Sequence, residues 1–278
     1  MAQVTQRKRT KNLLEEISQG GFGPVIIEGR PADDLPGYTI KRMVDDPDNQ
    51  TKHLINIVSV EAGQGKYKHY HWGAETTMVI LQGEGQFLIN ETDSVPIKVG
   101  DICHSYPGEI HGTRNTGSVA LRYLVVEGPL PLEMERDMEK RPPLVSDRKR
   151  VISAKDFIAA GGFAPIMVQG QAASDLPGYT VKAIAAMGDP KGKHLVNIVN
   201  VDPGFKKYDH WHNHAETVLV FLEGEGEYVA DKDTTIPVRA GDMAHSFPGE
   251  IHGTRNTGTV PMRYLVVEGP LPLDMNKA

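Results

Sequence analysis

Residues 100–132 read GDICHSYPGEIHGTRNTGSVALRYLVVEGPLPL, and residues 241–273 read GDMAHSFPGEIHGTRNTGTVPMRYLVVEGPLPL. Only six of the 33 positions differ, and the offset of 141 residues needs no gap. The likeness extends upstream. DLPGYTIK from Asp34 returns as DLPGYTVK from Asp175, and KHLINIVSV from Lys52 returns as KHLVNIVNV from Lys193. Two repeats therefore span about Val4–Asp137 and Val145–Ala278. Between them MEKRPPL is charged and carries Pro142 and Pro143, the composition of a linker. Each repeat is large enough to hold its own core, so a tandem of domains is expected, 1–140 and 141–278, rather than a solenoid.

Within each unit the pattern is that of short strands. LINIVSV from Leu54, TTMVILQ from Thr76 and ALRYLVV from Ala120 are rich in β-branched and apolar residues. Turn clusters such as EAGQG, QGEGQ, YPGEIHG and RNTGS separate them. Evenly spaced short strands with such punctuation predict an all-β sandwich or barrel. Helix is scarce. ISAKDFIAAGG offers Ser153 as a cap, Asp156 three residues on and Gly161 as a stop; NLLEEISQGG is its counterpart in the first unit.

Histidine carries the chemistry. Ten of the eleven histidines form pairs at the 141-residue offset, and only His214 lacks a counterpart. His69 and His71 are two apart, which puts both imidazoles on one face of a strand. Glu75 follows after a short turn. The second unit repeats this as His210, His212 and Glu216, and PGEIHGTRN adds His111 and His252.

These residues carry a resemblance to the cupin family. Its first motif runs Gly, five residues, His-x-His, three or four residues, Glu, then Gly. Gly63, His69, His71, Glu75 and Gly83 match it, as do Gly204, His210, His212, Glu216 and Gly224, with one extra residue before the last Gly. In the second motif Gly100, Gly108, His111 and Asn115 fit, as do Gly241, Gly249, His252 and Asn256; Pro107 and Pro248 are displaced by one position. The resemblance covers nearly the whole chain. It implies a bicupin: two tandem double-stranded β-helix, or jelly-roll, barrels with short flanking helices. It also implies that His69, His71, Glu75 and His111, and His210, His212, Glu216 and His252, are metal ligands. Imidazole and carboxylate suit a divalent transition metal such as Fe, Mn, Ni, Zn or Cu, two ions per chain.

Other residues leave two readings open. His104 and His245 alternate onto one face of their strand; they either support the ligands and move a proton or are hydrogen-bonded barrel histidines. Arg122 and Arg263 interrupt apolar strands, either as anion-binding groups in the pocket or as outward, solvated side chains. Asn56 and Asn197 either line the pocket or bond to backbone. His53 and His194 alternate against those asparagines and are expected outward or at an edge. Arg7, Lys8 and Arg9 read as a solvated start, whereas Arg148–Arg150, inside the chain, read as structural. The closing EGPLPLEM and EGPLPLDM segments read as strand caps packed on the neighbouring barrel.

A net charge of −6 argues against nucleic acid or an anionic membrane as the main partner. Cys103 is the only cysteine, so no intrachain disulfide forms. No signal-like or membrane-length apolar run is present, and a cytoplasmic protein is expected. Cupins include dioxygenases, decarboxylases, isomerases, cyclases, hydrolases and non-enzymatic binders. The resemblance implies a metal-dependent, dioxygenase-like oxidoreductase acting on a small oxygenated molecule, with Glu75 and Glu216 as bases. The alternatives are a redox-neutral lyase, cyclase, isomerase or hydrolase, and a catalytically silent binder. A covalently joined pseudo-dimer, monomeric or further associated, is expected.

Overall fold

The computed structural model describes residues 8–27, 30–32, 34–46, 48–137, 139, 141–168, 171–173, 175–185 and 191–278. The basic pair-mate Arg7 lies outside them. Each half builds one large and one smaller antiparallel sheet, with two-stranded ribbons beside them. In the first half the large sheet runs, edge to edge, Val151–Ser153, Asp101–Ser105, Glu75–Gln82, Leu121–Gly128, Leu54–Val60, Tyr38–Arg42 and Gly23–Pro24. The small sheet is Ser94–Lys98, Glu84–Leu88 and Thr113–Asn115. The second half repeats this around Glu216–Glu223, Met262–Gly269 and Leu195–Val201.

The central strands are buried on both faces, and period-two alternation divides their side chains between two cores. Val58, Val60, Met78, Ile80, Tyr123 and Val125 fill the first barrel. Their neighbours Ile55, Ile57, Val79, Leu124 and Val126 face the other way and join Val196, Ile198, Val218, Val220, Leu265 and Val267 from the second half. The large sheets thus pack outer face on outer face, and a third core lies between the barrels. Each fully buried Val, Leu or Ile stabilises this interface by roughly 1.5–3 kcal/mol.

The halves also exchange their first strands. Thr10–Asn12 pairs with Asp242–Ser246, and Val151–Ser153 pairs with Asp101–Ser105. The short helices follow directly: Asn12 accepts from the Glu15 N–H, and Ser153 from the Asp156 N–H. The arginine before each exchanged strand plugs the other barrel. Arg150 is buried and donates to Ser105 Oγ and to the carbonyls of Ile89 and Ile110. Arg9 donates to Tyr228 Oη and Ser246 Oγ and to the Ala230 carbonyl, so it is not the solvated start its sequence suggests. Among the described residues no helix is long and apolar enough to cross a membrane.

Candidate metal centres

The strand segments carrying His69 and His111 bridge each other through two backbone hydrogen bonds, of 3.0 and 2.8 Å. His71 follows one alternation later and joins them. Ring centroids lie 4.3 Å apart for His69–His111, 5.1 Å for His69–His71 and 5.2 Å for His71–His111. In the second half His210, His212 and His252 reproduce the set at 4.3, 5.1 and 5.3 Å. All six imidazoles are buried.

The carboxylate that completes each cluster is Glu127 or Glu268. His69, His71, His111 and Glu127 each place one donor atom within 4.8 Å of the others, as do His210, His212, His252 and Glu268. Glu127 Oε1 lies 3.6 Å from His71 Nε2 and 3.8 Å from His111 Nε2, and Glu268 Oε1 lies 3.7 Å from His212 Nε2. Such spacings leave room for an ion bound at about 2.1 Å by each donor.

Tautomers favour the same use. His69 Nδ1 sits 3.1 Å from the Tyr67 carbonyl and His111 Nδ1 3.0 Å from that of Glu109. His210 and His252 match them at 3.0 Å to Tyr208 and Glu250, and His212 Nδ1 donates to the Asp274 carbonyl. A carbonyl can only accept, so Nδ1 carries the proton and Nε2 turns a lone pair to the centre. Nε2 of His69, His71 and His212 is buried with no hydrogen-bond partner among the described residues. Orphaned buried nitrogens of this kind are costly unless something occupies the centre. The residues therefore fit a divalent ion.

Electrostatics agrees. Burial pushes the carboxyl of Glu127 up, but His111, His71 and the charge of Lys66 outweigh it and hold it well below the usual range. Glu268 is lowered to about 2 by His212, His210 and Lys207 against the same burial. Burial, with neighbouring positive charge, lowers His111 and His210 to about 4. Each centre thus sets an anionic carboxylate among imidazoles of which His69, His111, His210 and His252 resist protonation, while Glu268 and Asp274 draw His212 the other way, above its ordinary range.

Glu75 and Glu216, the carboxylates of the motif, stand elsewhere. Glu75 opposes Gly128 across the ladder, whereas Thr76 opposes Glu127. Opposed residues share a face, so Thr76 and Glu127 point into the barrel while Glu75 points to the other half. Thr76 Oγ1 reaches both Glu127 Oε1 at 3.3 Å and His111 Nε2 at 3.4 Å. Gly128 leaves the outer face open for His53: a Cβ there would lie 2.3 Å from His53 Cδ2, and at Gly269 2.5 Å from His194 Cδ2.

His53, His194, His104 and His245 accordingly meet at the interface. Glu216 accepts from Lys52 N–H at 2.7 Å, His53 Nδ1–H at 2.7 Å and His245 Nε2–H. Glu75 accepts from His104 Nε2–H at 2.5 Å and from the N–H groups of Lys193 and His194 at 2.6 and 3.1 Å. His53 Nε2 and His194 Nε2 are 2.9 Å apart. Since His53 gives its proton to Glu216 from Nδ1, His194 donates from Nε2. These residues lie outside the two converging clusters, and His53 and His194 are buried rather than outward.

A cavity of about 560 Å³ opens on the second cluster, and one of about 190 Å³ on the first. Asn197 and Asn56 are among the residues lining them. Arg122 and Arg263 do not line them. Arg122 donates to Ser59 Oγ and Gln82 Oε1, and Arg263 to Asn200 Oδ1 and Glu223 Oε2. The EGPLPLEM and EGPLPLDM segments fold back over their own barrel, bringing Leu132 and Met134, or Leu273 and Met275, to the cavity wall. Sequence reasoning also missed Lys66 and Lys207. Their signal is plain in retrospect: a lysine three residues before the first histidine in both units.

A model of the cupin domain family matches residues 56–127 and again 197–268. Over 73 residues the chain is 47% identical to an oxalate-binding protein of Thermotoga maritima, covering 26% of this chain; it spans about 60% of that relative's length. Among solved structures, a salicylate 1,2-dioxygenase variant of Pseudoaminobacter salicylatoxidans in complex with gentisate superposes with a TM-score of 0.69 at 13% identity, covering 98% of this chain and 85% of that one. An oxalate decarboxylase of Lactobacillus farciminis superposes at 0.55 and 14% identity, covering 97% and 88%.

Proposed function

The chain belongs to the cupin family as a two-domain bicupin, and from that premise we propose that each half is a metal-dependent active site for a small oxygenated organic molecule, with dioxygenase-like oxidation as the reaction. One observation carries the reading: three buried imidazoles and one ionised carboxylate converge on the wall of a largely apolar cavity. Three nitrogens and one oxygen suit Mn, Fe, Co, Ni, Cu or Zn, and no thiolate is at hand. A bound ion of this class supplies Lewis acidity, and iron or copper can also supply dioxygen activation.

The chain's own residues do the rest. His69, His71, His111 and Glu127 would hold the ion, leaving about two positions of an octahedral set for small molecules. Carbonyls of Tyr67 and Glu109 fix the rings, and Thr76 bridges Glu127 to His111. Val58, Met78 and Val125 keep water from the walls. Burial raises the phenols of Tyr38 and Tyr123 well above their ordinary range, so both stay protonated. Thr113, Tyr123 and Tyr38 form a hydroxyl chain with links of 3.0 and 3.3 Å along the cavity, able to donate to a substrate oxygen. Glu127, held ionised, is a firm ligand and a weak base; the base role that the motif suggests for Glu75 falls away with its position.

A redox-neutral lyase or decarboxylase reading has support in the relative named for oxalate and in the decarboxylase with the same fold. Elemental analysis of protein reconstituted separately with iron, manganese and zinc, followed by oxygen-electrode assays on enolic and ortho-hydroxylated acids, separates the two. The proposal expects two ions per chain and oxygen uptake with a redox-active metal. Turnover of the same acids without oxygen uptake would establish the redox-neutral reading instead, and absence of metal after reconstitution would overturn both.

A further inference from the structure

Each cavity contains an ammonium group that the metal chemistry does not use. Lys207 is only 8% exposed and lines the larger cavity together with His210 and Glu268. Lys66 is half-buried in the equivalent place with His69 and Glu127. Lys207 Nζ lies over the rings of Tyr179 and Tyr208, at 5.1 and 5.0 Å, and Lys66 Nζ lies 5.9 Å from the Tyr38 ring. Neither makes a hydrogen bond or ion pair with any described residue. The acids nearby are already engaged: Asp175 pairs with Lys277, and Glu268 faces His212.

A lysine withdrawn from water without a counter-ion is expensive, and both duplicated halves keep one, buried as Lys207 and half-buried as Lys66. Burial pushes both ammonium groups down from their ordinary range, while Glu127 and Glu268 pull them back up. Charge addition sharpens the point. With one Glu carboxylate and one lysine, each centre is neutral; with a divalent ion it carries two uncompensated positive charges in an apolar cavity. A guest that brings negative charge next to the lysine is favoured over a neutral one of equal shape. A single ammonium among tyrosine, leucine and valine walls suits one carboxylate on an apolar body. A phosphate dianion would call for the several donors of an arginine cluster or a backbone nest.

We propose that Lys207 and Lys66 anchor the carboxylate of the substrate, so that each site takes an organic acid with one such group on an apolar body, the second cavity admitting the bulkier acid. This rests on the metal-site reading above.

Benzoate, benzamide and inorganic phosphate are the probes, titrated calorimetrically into the full-length chain loaded with zinc and, separately, into the metal-free chain. One charge-assisted hydrogen bond predicts benzoate binding roughly 10-fold to 100-fold tighter than benzamide. The double variant Lys66→Met/Lys207→Met should still hold two zinc ions, and its metal-free form should bind benzoate no more tightly than benzamide. Lys66→Arg/Lys207→Arg should restore the preference. If the methionine variant does not fold, Lys66→Gln/Lys207→Gln takes its place. A metal-free methionine variant that still prefers benzoate overturns the proposal, as does phosphate binding more tightly than benzoate to the wild-type chain. Should wild type bind no zinc, the metal reading fails on its own. The benzoate preference of the metal-free chain then decides the lysine assignment separately.

Discussion

The two faces of each large sheet carry the same kinds of residue to opposite ends. On the outer face Glu75, Glu216 and four histidines are tied to one another and to backbone N–H groups across the domain interface. On the inner face Glu127 or Glu268 and three histidines converge on one centre, and carbonyls fix the outer nitrogens of all these histidines except His71. Histidine and glutamate content therefore does not identify a metal site. What matters is whether the donors converge on one point: His104 Nδ1 and His194 Nδ1 of the outer network also lack partners, but only the inner sets bring four donor atoms within 4.8 Å of one another among the described residues. The outer network has the character of a lock between halves, and the inner cluster that of a ligand set.

Substitutions can break the comparison at either face. The largest effect is expected from His111→Ala, which should take the metal content from two ions to one and leave the second centre filled. Loss of both ions would show that the centres are not independent. Next, Glu75→Ala should leave both ions in place but cost about 3–5 kcal/mol of stability, since His104 and two N–H groups lose a buried acceptor. Chemical denaturation of the metal-loaded protein reads this directly, and a change below about 1 kcal/mol would contradict the lock.

Acid sharpens the same contrast. Burial holds His69, His104, His194 and His252 below the ordinary imidazole range, and His111 and His210 at about 4. The unfolded chain takes up protons on these groups below about pH 6.5 while the folded chain does not, so stability is full above that pH and falls as pH falls. The carboxylates of Glu127, Glu216 and Glu268, lowered in the fold, add a loss of the same sign at lower pH. The metal-free protein should therefore melt at steadily lower temperature from pH 7 to pH 4. A flat profile would mean that the buried histidines are not neutral in the fold.

The smallest effect separates the two barrels. The Asp274 carbonyl holds His212 Nδ1, and the Asp274 carboxylate accepts from Asn213; His71 Nδ1 has no such partner among the described residues. The second centre is the better organised, and an advantage of roughly 10-fold in metal affinity is expected from one such supporting contact. A chelator titration should empty the halves in two steps, the first half before the second; His71→Ala abolishes the earlier step.

Much of this was legible in the chain. The 141-residue offset exposed the tandem, His-x-His exposed the shared strand face, and Ser153 and Asn12 cap their helices as local chemistry requires. The carboxylate was not legible. Glu75 has the motif spacing, but the turn at Trp72–Ala74 sets the strand so that Thr76, not Glu75, faces inward. Glu127 at the end of ALRYLVVE shares parity with Tyr123 and Val125, which only the ladder register reveals. The exchange of Thr10–Asn12 and the buried role of Arg9 depend on contacts more than 200 positions apart, and no local pattern announces them.

The identity of the carboxylates that bind the ions is the point on which the two faces differ most. Metal content by mass spectrometry of Glu127→Gln/Glu268→Gln, set beside Glu75→Gln/Glu216→Gln, puts that to the test. Ions should be lost or bound at least about 10-fold more weakly in the first pair, and two ions retained in the second. Two ions held firmly by the first pair and none by the second would contradict it.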